Sequence, residues 1–155
     1  MASPYFPLPI RERGITGLNA LRTIVLLLDK FRIRTCLFCI DREHIRDIDK
    51  VKETLEKYGF QLKGFEEISK SRTFEISVDR GGRALKILLV IFGREAKIEE
   101  DIKELARISG CELPDIKIST IKKILLPKVT VDHIKKVFSH LCDAVFRLEK
   151  FLNNN

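Results

Sequence analysis

Apolar residues recur along this chain in two rhythms, and the change from one to the other marks its elements. Leu18, Leu21, Ile24, Val25, Leu28 and Phe31 follow helical spacing, which predicts a helix from a Thr16 cap to Arg32. The next run, TCLFCI (35–40), is apolar on both faces, as in a central strand covered on two sides. A second helical stripe, Ile45, Ile48, Val51, Leu55 and Tyr58, runs to Gly59, a left-handed stop. Three strand patterns follow: FQLKGFEEI, RTFEISVD and RALKILLVIF. The middle one alternates Phe74, Ile76 and Val78 with Glu75, Ser77 and Asp79, a half-exposed pattern. Between the last two, Arg80-Gly81-Gly82-Arg83 reads as a hairpin turn, since paired glycines accept positive φ.

After Gly93, Ile98, Ile102, Leu105 and Ile108 predict a helix over 97–109, ended by Gly110. Residues 111–129 are irregular, with room for a short helix before Pro127. A long amphipathic helix is predicted over 130–152, through Ile134, Val137, Phe138, Leu141, Val145, Leu148 and Phe151. This order predicts an α/β fold: a mixed four- to five-stranded sheet with flanking helices and a long C-terminal helix. The expected division is a core at 1–110 and a helical extension at 111–155 packed on it. The extension's apolar stripe is also a possible protein-partner surface.

Composition narrows the class. Of 155 residues, 45% are hydrophobic and 33% charged, the balance of a globular chain and not a disordered one. No apolar run approaches the roughly 20 residues that span a bilayer. The start, MASPYFPLPIRERG, lacks the features of a signal peptide, so no membrane role and a cytoplasmic location are expected. Gln61 is the only glutamine and Asn19 the only internal asparagine, a bias associated with thermophile proteins. Four cysteines are expected as free buried thiols. Cys36 and Cys39 form a CxxC inside a strand pattern, where they point to opposite faces and cannot share a metal.

The formal charge of +7 suggests a polyanionic partner, DNA or RNA. The cations singled out are Lys70, Arg72, Arg80, Arg83, Arg94, Lys122 and Lys123, most of them in turns, against the alternative that they are ordinary solvated charges. Aromatic residues are not interleaved with them, so contact with the phosphate backbone is expected in preference to base stacking.

No P-loop, dinucleotide fingerprint, HExxH or GxSxG occurs, which leaves carboxylates as candidate chemistry. Asp41 ends the first strand and Glu43 lies two residues on. In extended chain the two share a face and can hold one Mg²⁺; alternatively Asp41 caps the following helix and Glu43 favours its positive end. Glu99, Glu100 and Asp101 read as an acidic first helical turn, with metal ligation as the alternative.

The stretch from Tyr5 to His44 resembles the front half of a TOPRIM domain, through Glu12 in IRERG and the pair Asp41 and Glu43 in IDREH. The pattern departs from the family in Arg13, where glycine is usual, and in Glu43, where aspartate is usual. The resemblance implies Mg²⁺ on Asp41 and Glu43, with Glu12 in proton transfer. The sequence therefore leads to two expectations. The first is a basic nucleic-acid-binding module, or a non-catalytic subunit of a DNA- or RNA-processing complex, contacting mainly phosphates. The alternative is a Mg-dependent TOPRIM-like nuclease or phosphotransferase.

Overall fold

The computed structural model describes residues 17–111 and 118–154, without the side chains at 118–120 and 122. Four strands form one mixed sheet: β1 (Thr35–Asp41), β2 (Gln61–Ser69), β3 (Thr73–Arg80) and β4 (Arg83–Phe92), in the order β1-β4-β3-β2. β1 runs parallel to β4, and the other neighbours are antiparallel. The predicted α/β class and mixed sheet are therefore present. β1 stands at an edge of the described sheet, however, and not at its centre. The central, doubly buried strand is β4, whose run Leu85 to Ile91 is buried at every position except Lys86.

Alternation along β4 divides the core. Leu85, Ile87, Leu89 and Ile91 face α1 (Leu21–Phe31) and α2 (Asp49–Lys57), where they meet Leu21, Ile24, Leu28, Val51 and Leu55. Leu88 and Val90 face the other way, against Ala144 and Leu148 of α6 (Ser139–Asn153). A third cluster joins α3 (Ile98–Ile108), α4 (Ile118–Leu125) and α5 (Val131–Val137) through Leu105, Ala106, Cys111, Leu125 and Val137.

The single long helix expected over 130–152 is broken at Phe138, which has φ −106° and ψ 33°. Its apolar stripe serves two different cores. Val137 and Phe138 pack with α3, and Ala144 and Leu148 pack on the sheet. The break lets the chain reach both.

Strand β3 is more buried than its alternation suggests, because α6 covers its polar face. Glu75 is only 8% exposed, and its carboxylate bonds Lys86 Nζ at 2.7 Å and Arg147 Nη1 at 3.0 Å. Arg147 also reaches Glu66, at 3.1 Å, so charge pairs tie α6 across the sheet. The first helix begins as a 3-10 turn at Gly17, and Thr16, its expected cap, lies outside the described residues. Of the four free cysteines only Cys111 is buried; Cys39 is exposed, and Cys36 and Cys142 are half-buried. No helix among the described residues is long and apolar enough to cross a membrane.

Candidate nucleic-acid interface

The carboxylates singled out in the sequence meet at the end of the sheet where β1 and β4 both finish. Asp41 is adjacent to Phe92 in the parallel register, and the chain beyond Phe92 folds over it as α3 begins. Asp41 Oδ1 accepts the Ile98 N–H at 3.0 Å. Asp41 therefore caps a helix, but α3 from across the sheet and not the helix that follows it in sequence. Glu43 is half-exposed, with Lys97 Nζ at 3.7 Å and His44 Nε2 at 3.6 Å from its carboxylate.

Glu100 and Asp101 complete this arrangement. Glu100 accepts the N–H groups of Arg94, Glu95, Ala96 and Lys97 at 2.7–3.2 Å. Those four bonds hold its carboxyl down at about 2, against an ordinary 4.5. Asp101, 3% exposed, accepts the Gly93 N–H at 2.6 Å and Arg72 Nη2 at 2.7 Å. Six consecutive amides, 93–98, are thus each satisfied by one of three carboxylates. Gly93 permits the turn: it has φ +77°, and a Cβ there would lie 2.5 Å from Lys97 O.

Among the described residues, no three His, Cys, Asp or Glu side chains converge to hold a metal ion. Glu12, the third residue of the TOPRIM-like pattern, lies outside the described residues. The recess at this pole, about 400 Å³, is lined by Arg42, Glu43, Arg46, Arg94, Glu95 and Ala96, so its charges nearly cancel.

The larger cleft, about 880 Å³, lies at the opposite pole, where β1 and β4 begin. The end of α6, at Asn153, borders it through Phe151 and Asn154, and the sheet contributes Thr35, Ser77 and Lys86. Arg32 and Arg34 enter from the link between α1 and β1, Lys63 from β2 and Arg83 from the hairpin. Asp79 is the one carboxylate among the described lining residues, and it accepts the Gly82 N–H at 3.0 Å.

Neutralisation is incomplete. Lys86 bonds Glu75 at 2.7 Å, and Arg83 lies 3.8 Å from Asp29. Arg32, Arg34 and Lys63 are exposed and pair with no acid among the described residues. The C-terminus of α6 brings the equivalent of about half a negative charge to the cleft, which these three cations outweigh.

Two local features aim these cations. Lys63 sits at a register shift in the β2–β3 pairing between Leu62 and Gly64, and such bulges redirect a side chain. Arg32 closes α1 with φ 53° and ψ 38°, a left-handed position where glycine is usual.

The cations expected to act together are divided between the poles. Arg83 lines the large cleft, while Arg94 lines the small recess. Lys70 is exposed in the β2–β3 turn, and Lys123 is exposed on α4. Arg72 is committed to Asp101 and to Ile91 O at 3.2 Å; Arg80 is committed to Asp29 at 2.8 Å and to Tyr58 O at 3.2 Å. The Lys122 side chain lies outside the description. Arg32, Arg34, Lys63 and Lys86 were not singled out in the sequence. Arginine at a helix stop and Gly64 inside a strand pattern were the signals for two of them. Set against known proteins, the chain matches no family model, no curated protein and no solved structure.

Proposed function

We propose that the protein binds nucleic acid through this cleft, as a module or non-catalytic subunit that holds the phosphate backbone. The observation that carries the proposal is the cation set: among the described residues, five Lys or Arg side chains stand against one carboxylate in a concave lining. Three of the five have no acidic partner among the described residues, so phosphates would neutralise them and release counterions. Lys86 and Arg83, already paired, fix the edges of the cleft.

Charge reversal at the two poles tests the assignment. Arg34→Glu with Lys63→Glu alters the large cleft, and Lys70→Glu with Arg94→Glu alters the other pole by the same net charge. Binding of a labelled oligonucleotide is followed by fluorescence anisotropy. The cleft pair is expected to weaken binding by at least roughly tenfold, since each lost contact removes about 0.7 log units at ~0.1 M salt. The other pair is expected to change it by less than about threefold. The reverse ranking, or equal losses, would overturn the assignment to the cleft.

A further inference from the structure

The helices α4 and α5 bury one set of apolar residues and leave another in water. Leu125 and Val137 close a cluster with Leu105, Ala106 and Cys111 that includes no residue of the sheet. Leu126 and Val131, in contrast, are 69% and 65% exposed, and Ile124 and Ile134 are exposed near them in the chain. Val131 and Ile134 stand one turn apart and share a side of α5, with Lys135 one turn beyond Val131. Leu126 lies in the turn after α4, two residues before Lys128. A single exposed aliphatic side chain is ordinary on a protein surface; four between Ile124 and Ile134 are not.

Charge selects the occupant. Between 123 and 136 the chain carries Lys123, Lys128, Lys135 and Lys136 against Asp132 alone. None of the four lysines forms an ion pair among the described residues, and Glu104, near Lys136, is already paired with Arg107 at 2.7 Å. The same surface of a second copy would set lysine against lysine. Phosphates would meet the lysines but leave the aliphatic side chains wet. An anionic bilayer would have to accept Asp132, and residues 118–137 hold no Phe, Tyr or Trp to seat at its interface. We propose that α4 and α5 dock an acidic amphipathic helix of a partner protein. Its apolar stripe covers Leu126, Val131 and Ile134, and its carboxylates meet Lys128 and Lys135. None of these residues lines the cleft, so the proposal stands independently of the nucleic-acid reading.

A displayed library of random peptides, each about 16 residues or roughly four helical turns, is selected on the whole chain. Enriched sequences are expected to place Asp or Glu beside apolar residues spaced by three and four. The best of them, synthesised and labelled, is expected to lose at least roughly tenfold in affinity for Leu126→Ser with Val131→Ser, and likewise for Lys128→Glu with Lys135→Glu. Oligonucleotide affinity of the serine pair is expected to stay unchanged. All four residues are exposed, and thermal melts establish that the variants fold. Absence of enrichment, enrichment of neutral or basic sequences, or equal peptide affinity for the variants would overturn the proposal. Adsorption to phosphatidylserine–phosphatidylcholine vesicles that the serine pair abolishes would also overturn it, and would assign the surface to a membrane.

Discussion

Arg32→Gly should make the protein more stable and a weaker binder. Arg32 terminates α1 in the left-handed region, φ 53°, which costs an L-residue roughly 1–2 kcal/mol. Glycine removes that strain but loses about 0.5–1 kcal/mol through its freer unfolded chain. The capping bond from the residue 32 N–H to Leu28 O, 3.1 Å, belongs to the main chain and survives the substitution. The net gain is about 0.5–1 kcal/mol, or a rise in Tm of about 1–4 °C for a chain of this length. Binding moves the other way. One phosphate contact contributes about 0.7 log units at ~0.1 M salt, so affinity for a single strand should fall about fivefold. Urea denaturation followed by circular dichroism reads the first quantity, and fluorescence anisotropy reads the second. A fall in both would mean that Arg32 is structural. A gain in stability with no loss of binding would remove it from the interface.

The pole opposite the cleft should respond in stability and not in binding. Asp101→Ala leaves Arg72 and the buried Gly93 N–H without their acceptor, a loss of about 3 kcal/mol in chemical denaturation, with oligonucleotide affinity of the folded protein unchanged. Gly93→Ala should destabilise much more than Gly82→Ala: both have positive φ, but only at residue 93 would the new Cβ strike the backbone, 2.5 Å from Lys97 O, and comparative thermal melts check the ranking. Acid should destabilise in two stages. Burial, together with the Arg72 charge and against those of Asp101 and Asp143, pushes His140 down to about 4 from 6.5. The unfolded chain therefore takes up that proton first, and stability falls as pH drops from about 6.5 towards about 4. Glu100 contributes stability that is present above about 4.5 and lost as pH falls towards about 2. His140→Gln should flatten the upper stage of a Tm-against-pH curve; an unaltered curve would show that another group sets it.

Local pattern carried most of the fold. The β3–β4 hairpin could be read from Gly81-Gly82 and the flanking alternation, and both glycines have positive φ in the structure, 59° and 76°. Helices α1, α2 and α3 followed from their apolar spacing. What sequence could not supply was partnership. Nothing in DREHI shows that Asp41 will cap a helix 57 residues away, because its partner is chosen by the parallel β1–β4 register. Nothing in HIKKVFSHL shows that one stripe will divide at Phe138 between two cores. The cleft was illegible for the same reason. Arg32, Lys63, Lys86 and Phe151 come from four separate elements and meet at one cleft only in the folded chain. A count of cations in turns finds charge, but it does not distinguish Arg72 and Arg80, already paired, from Arg34 and Lys63.

The most direct test of the cleft is the salt dependence of single-strand binding, compared between the wild type and Arg32→Ala/Arg34→Ala/Lys63→Ala. Titrations of a labelled oligothymidylate between about 50 and about 200 mM salt give the slope of log K against log salt. Loss of three phosphate contacts should make that slope shallower by roughly 2 and weaken binding about a hundredfold at ~0.1 M. An unchanged slope and affinity in the folded triple variant would contradict the assignment of this cleft as the nucleic-acid interface.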